Sequence, residues 1–180
     1  MTKQSNILLG VTASIAAYRA CDLLTELREK SYAVTVVMTR DAHHFITPLT
    51  LQSFAGTSVV DDFFSVPGRV KPIHIELAKQ SDLILIAPAS ADVIAKLAHG
   101  FAEDVLTCTI LASTAPLVVA PAMNEKMWEN RFTQENVKRL KDNGARFVDP
   151  IHGHLVCSDQ GMGHLAENAA ILGVVEKTLK

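Results

Sequence analysis

Leu83–Asp104 reads LILIAPASADVIAKLAHGFAED. Its first four residues, Leu83-Ile84-Leu85-Ile86, are an unbroken apolar run that stops at Ala87-Pro88-Ala89-Ser90. Beyond the stop, Val93, Ile94, Leu97, Ala98 and Phe101 recur at three- and four-residue spacing, the period of a helix with one buried face. A continuous apolar run bounded by a turn predicts a strand covered on both faces, as in parallel sheets. Ser90 is placed to cap the helix, and Pro88 keeps the turn extended. Such a strand delivers small residues and backbone N–H groups into the crevice where open α/β sheets bind their ligands.

The flanking sequence repeats the pattern. Upstream, Ile73-His74-Ile75-Glu76-Leu77-Ala78 predicts a short helix leading into the strand. Its His74 has two readings, a packed histidine or an acid–base group. Downstream, Val105–Leu111 continues as helix and Leu117–Ala120 is a second buried strand. That strand exits into Pro121-Ala122-Met123-Asn124-Glu125-Lys126-Met127-Trp128, read as a loop. Asn124 carries amide donors and a carbonyl acceptor, which suits a carboxylate or amide ligand, and equally suits a turn. Trp128 reads as a packing anchor. A helix over 133–142 ends at Asn143-Gly144, and 145–148 is the last short strand.

At the N-terminus, Asn6–Val11 predicts a strand broken by Gly10-Val11-Thr12-Ala13-Ser14 and followed by a helix through Leu27. Strand, small-residue turn and helix is the layout that seats a phosphate on a helix start. Neither GxGxxG nor GxxxxGK[ST] occurs, so a dinucleotide or P-loop site is not indicated. Thr12 and Ser14 offer hydroxyls to one phosphate, or simply cap the helix. Residues 32–38 predict the next strand, followed at Thr39 by a helix carrying His43, His44 and Phe45. Adjacent histidines diverge on a helix, so they do not share a metal. Residues 48–69 predict a short helix, a turn at Gly56 and a loop.

The stretch 151–167, IHGHLVCSDQGMGHLAE, has three glycines and little periodicity and reads as a loop or flap. The spacing of His152, His154, Cys157 and His164 matches no standard zinc site, and no metal is expected. Cys157 in such a segment reads as a proton donor or nucleophile. Residues 169–179 predict the closing helix.

The totals fit one domain over 1–180: the chain has 180 residues, 48% of them apolar, with a net charge of −2. No run approaches membrane length, and mixed charge excludes an evident nucleic-acid or membrane surface. The three cysteines form no CxxC pair and the N-terminus lacks the features of a signal peptide, so a cytoplasmic location is expected.

Four stretches, GVTASIAAYRA at 10–20, IHIELAKQSDLILIAPASADVIAKLAHGFAEDVLT at 73–107, PAMNEKMW at 121–128 and LVCSDQGMGHLAE at 155–167, occur in one order and spacing. Together they resemble the flavin-containing cysteine decarboxylases, which act on peptidyl or pantothenoyl cysteine. The resemblance implies a Rossmann-like, flavodoxin-type doubly wound parallel sheet that binds FMN and assembles as homo-oligomers, trimers or dodecamers. It implies decarboxylation of 4′-phosphopantothenoylcysteine to 4′-phosphopantetheine, in coenzyme A biosynthesis, through a thioaldehyde and an enethiol. FMN would be held by Gly10, Thr12, Ala13 and Ser14, by Thr39, by Pro88, Ala89, Ser90 and Ala91, and by Asp104 and Leu106. Asn124, with Ala122 and Met127, would hold the substrate carboxylate; His74 would be the acid–base group and Cys157 the proton donor of the flap. In the family, His and Asn of one site often come from neighbouring subunits. Where the family flap commonly carries arginine after Gly-x-Gly, this chain has His164. The alternatives within the fold are a peptidyl-cysteine decarboxylase, a flavin prenyltransferase and a non-enzymatic regulatory subunit.

Overall fold

The computed structural model describes residues 4–64, 71–155 and 158–180, with backbone alone over the described part of 154–160. Five strands, β1 (Asn6–Val11), β2 (Ala33–Met38), β3 (Leu83–Ala89), β4 (Leu117–Pro121) and β5 (Arg146–Phe147), form one sheet. Their order is β2-β1-β3-β4-β5 and every pair is parallel. This is the doubly wound, flavodoxin-like order, in which the chain reverses its direction of travel between β1 and β3.

Parallel strands need helical returns, and these cover both faces. The helices are α1 (Ala20–Glu29), α2 (Pro48–Ala55), α3 (Ile73–Gln80), α4 (Ala91–His99), α5 (Val105–Ala112), α6 (Glu125–Glu129), α7 (Arg131–Asp142) and α8 (Asn168–Leu179). Alternation along the strands divides the core. Ile7, Leu9 and Val11 of β1 pack with Leu23 and Leu27 of α1, Leu51 of α2 and Ile171 of α8. Leu8 of the same strand faces the other way, among Leu77 of α3, Ile94 of α4, Leu106 of α5 and Val137 of α7. β3 is buried along its whole length, as an apolar run without alternation requires. Each buried Leu or Ile contributes about 1.5–3 kcal/mol, so β1 and β3 are the main stabilising pair.

Local signals fix the helix ends. Ser90 accepts from Val93 N–H at 3.2 Å, and Thr47 caps α2 with proline at its first turn. Gly56 and Gly100 close α2 and α4 at φ of +68° and +72°, the left-handed conformation that a Cβ disfavours.

Four expectations are corrected. The helix expected from Ile15 to Leu27 is a 3-10 turn, Ile15–Arg19, followed by α1. The i to i+3 bond from Ala17 N–H to Ser14 C=O, 2.9 Å, tightens it. β3 runs through Pro88 to Ala89 rather than ending at Ile86, and the Ala87–Pro88 peptide is cis. Proline lacks a ladder donor, and the β3–β4 register shifts between Ile86 and Ala89, where it sits. The segment after β4 contains a helix, α6, not only a loop. The expected loop over 151–167 contains a two-stranded antiparallel sheet, β6 (Ile151–Leu155) with β7 (Ser158–His164).

Candidate functional site

The carboxyl ends of β1, β3 and β4 open into a cavity of about 450 Å³. Three strand exits wall it: Ala13–Ala16 after β1, Ser90 and Ala91 after β3, and Ala122, Met123, Asn124 and Met127 after β4. Tyr18, Phe45 and the end of β7, Gly163, His164 and Leu165, complete the lining. The cavity sits at the β1/β3 reversal, the position at which this topology leaves a crevice.

Hydrogen bonds tie the three exits together. Thr12 is buried; its hydroxyl donates to Pro88 C=O at 2.8 Å and accepts from Ser90 N–H at 2.8 Å. Ser14 lies in the wall, where its hydroxyl donates to Ala122 C=O at 3.2 Å and accepts from Ala16 N–H at 3.3 Å. Of the two hydroxyls, Thr12 is thus committed to the frame, whereas Ser14 caps its turn and also faces the cavity.

Asn124 is the N-cap of α6, and its side-chain oxygen accepts from Lys126 N–H at 3.0 Å. With Oδ1 engaged in the cap, the NH₂ group remains the donor end of a residue in the cavity wall. Sequence reasoning set the turn asparagine and the ligand-binding asparagine against each other; the structure shows the cap and places the residue in the cavity wall.

The β6–β7 sheet is docked on this segment. Met123 N–H donates to Gly163 C=O at 3.0 Å, and Met162 N–H donates to Glu125 Oε1 at 2.7 Å. A Cβ on Gly163 would stand 2.1 Å from Met123 C=O, and Gly163 has φ +151°, so only glycine fits.

The expected site residues divide accordingly. Ala13, Ser14, Ser90, Ala91, Ala122, Asn124 and Met127 line the cavity. Gly10, Thr12, Thr39, Pro88, Ala89, Asp104 and Leu106 do not. Gly10 and Leu106 face each other in the core: a Cβ on Gly10 would come within 2.8 Å of Leu106 Cδ1. Asp104 caps α5 in a reciprocal box with Thr107, which donates its N–H and its hydroxyl to Asp104 Oδ1, both at 2.8 Å. Thr39 begins the 3-10 turn Arg40–His44 and donates its N–H to Val11 C=O at 3.1 Å. Pro88 and Ala89 are buried behind the wall.

His74 stands on the first turn of α3, outside the lining of this cavity. Its ring meets Phe63 edge-on at 5.6 Å, and its Nδ1 is buried without a hydrogen-bond partner among the described residues. Cys157 lies outside the described residues. Of the described cysteines, Cys108 donates to Ala102 C=O at 3.2 Å, and burial with the nearby Asp104 pushes its thiol above the ordinary value. Among the described residues no His, Cys, Asp and Glu cluster is arranged to hold a metal.

Sequence reasoning missed Ile15, Tyr18 and Phe45. Their signal appears only in the fold: Ala16 and Ala17 are small and buried, whereas Ile15 and Tyr18 are large and 58% and 59% exposed. A bulky apolar residue on the outer side of a turn, next to a cavity, marks a ligand or partner surface.

Comparison with known proteins matches the flavoprotein family model over residues 1–180. A Vibrio vulnificus protein, the coenzyme A biosynthesis bifunctional protein CoaBC, is 44% identical over 171 residues, 95% of this chain and 43% of that protein. The chain thus spans less than half the length of that relative. "Probable phosphopantothenoylcysteine decarboxylase" of Streptococcus mutans is 45% identical over 99% of this chain and all of that one. Among solved structures, a mutant PPC decarboxylase complexed with pantothenoylaminoethenethiol superimposes with a TM-score of 0.88 at 32% identity, covering 97% of this chain and 98% of that one. The FMN-dependent cysteine decarboxylase SpaF gives 0.87 at 32% identity, over 98% and 95%.

Proposed function

Because the chain belongs to the flavoprotein family, we propose that it is an FMN-dependent decarboxylase that converts 4′-phosphopantothenoylcysteine to 4′-phosphopantetheine in coenzyme A biosynthesis. The observation that carries the reading is Asn124: a cavity at the β1/β3 reversal holds one amide whose orientation is set by its own cap.

The residues present fit the flavin. The cavity volume, about 450 Å³, lies within the range of cofactor sites, and its wall is chiefly apolar, as a ring system requires. Ser14 and the start of the turn after it would hold the phosphate; Ala13 and Ala91 would border the ring. Bound FMN would supply the two-electron oxidation of the cysteine thiol to a thioaldehyde, the electron sink that decarboxylation needs, and the later return of those electrons.

The chain's own residues do the rest. Asn124 would donate its NH₂ protons to the substrate carboxylate. A neutral donor orients that group without the ionic stabilisation that would oppose its loss. Met127, half exposed, would cover the thiol end with a soft apolar chain. His74 would move the thiol proton, and Cys157 would protonate the enethiol product, with residues 151–167 acting as the flap over the site. Gly10, Thr12, Thr39, Pro88, Ala89, Asp104 and Leu106 then serve the cofactor as frame.

The place of His74 supports an oligomeric site. A histidine absent from the lining of its own chain's cavity suits a site completed by a neighbouring copy. The exposed Ile15, Tyr18 and Phe45 at the rim give such a copy an apolar surface to meet. No helix among the described residues is long and apolar enough to cross a membrane, and the reading places the enzyme in the cytoplasm.

The test is a visible spectrum of the purified protein, then anaerobic mixing with 4′-phosphopantothenoylcysteine. A flavin spectrum, carbon dioxide and 4′-phosphopantetheine are expected. A bound flavin with turnover only on peptidyl cysteine moves the substrate to peptides. A protein that takes up no FMN overturns the proposal. Cys157→Ser is expected to release carbon dioxide and accumulate the enethiol; normal product from that variant removes the cysteine from the mechanism.

A further inference from the structure

Arg19 ends the 3-10 turn whose other end lines the cavity, and only 14% of its side chain is exposed. Its guanidinium bonds the end of β7 and the chain just after it. Nη1 donates to Leu165 C=O at 2.9 Å and lies 3.4 Å from His164 Nε2, and Nη2 donates to Glu167 Oε2 at 3.0 Å. His164 itself lines the cavity.

The chemistry of this pair leaves one arrangement. A guanidinium has donors and no acceptor, so Nε2 must accept. An imidazolium has no acceptor either, so the ring that accepts this bond is the neutral one with its proton on Nδ1. This is the reverse of the tautomer that dominates in free histidine. The ring's seat is built to match. A Cβ on Gly153 would press to 3.1 Å against His164 Cβ and Cγ, and Gly163, one residue earlier, is fixed by its bond to Met123. The charge of Arg19 is offset by Glu167. His164 thus lines the cavity beside a guanidinium that is itself paired with Glu167.

We infer that Arg19 is a positioning residue that holds His164 as an uncharged Nδ1–H donor, and that this N–H meets an oxygen acceptor of the substrate. The substrate part rests on the decarboxylase reading above; the tautomer does not.

The test uses the whole protein and begins without substrate. Ring-nitrogen NMR at alkaline pH, with the His164 signals assigned by their loss in His164→Gln, is expected to show the Nδ1–H tautomer. Arg19→Ala is expected to return the ring to the Nε2–H form. A wild-type ring in the Nε2–H form, or a tautomer unmoved by Arg19→Ala, overturns the inference. For the substrate, asparagine places a donor where Nδ1 stood and glutamine where Nε2 stood. His164→Gln is therefore expected to show a KM roughly 3- to 10-fold above that of His164→Asn, with the difference in KM rather than kcat, the scale of one hydrogen bond. Equal KM values overturn that contact. Absence of any turnover in the wild type overturns the decarboxylase reading instead, and the ring-nitrogen spectra still decide the role of Arg19.

Discussion

Thr12 shows how one side chain sets the distance between two strand ends. Its hydroxyl accepts from Ser90 and donates to Pro88, and its own N–H reaches the same carbonyl at 3.3 Å. Thr12→Val keeps the shape and removes both side-chain bonds, leaving Ser90 N–H without its partner. The expected cost is about 1–3 kcal/mol, measured as a lower urea midpoint with unchanged slope, and Thr12→Ser should recover most of it. That Thr12 lies near the site was legible from the sequence; which of two neighbouring hydroxyls lines the cavity was not. The division depends on Pro88 and Ala122, distant in sequence, and no local pattern encodes it. The same holds for Asn124, whose cap engages the side-chain oxygen and leaves the NH₂ group as the donor.

At the scale of elements, β3 was readable because four branched apolar residues in a row have no other economical place than a doubly covered strand. The β6–β7 pair was not readable. Its sequence, with glycines at 153, 161 and 163, lacks apolar alternation, and its position comes from backbone bonds to the segment after β4. Gly163→Ala tests this directly. The added Cβ would overlap Met123 C=O, so the pair is expected to undock while the five-stranded sheet stays folded. Hydrogen exchange at 151–164 should rise by orders of magnitude, with little change over β1 and β3. A different contact joins α8 to α1. Lys30 donates to Glu176 at 2.7 Å, which holds the Glu176 carboxyl below its ordinary value and the Lys30 ammonium above its own. The carboxylate contribution is present above the unfolded carboxyl value and disappears as pH falls through the lowered one. The ammonium contribution is present below the unfolded ammonium value and disappears as pH rises through the raised one. Both groups are exposed, so the stability difference between wild type and Glu176→Gln should be small, greatest near neutral pH and reduced by salt.

For the whole molecule, the absence of His74 from the cavity lining is the observation with most to say about assembly. If His74 serves a neighbouring copy, His74→Asn and Asn124→Asp should each lose about 100-fold or more in kcat. Oligomers formed by mixing the two variants at random should regain about a quarter of wild-type activity, because one pairing in four joins an intact histidine to an intact asparagine. Sites built within single chains would regain nothing on mixing, which makes the assay decisive.

The three walls of the cavity are supplied by residues 13–16, 90–91 and 122–127, and its rim by residues 163–165. None of these stretches can form a binding surface with its sequence neighbours alone. During synthesis, β1 and β2 emerge long before the partner strands that complete the crevice, so a nascent chain has nothing with which to hold the cofactor. A cofactor held in this cavity is therefore acquired only when folding is essentially complete. Its binding then acts as a certificate of that completion: it stabilises finished molecules by mass action and gives none of that protection to chains stalled before β4 has joined the sheet.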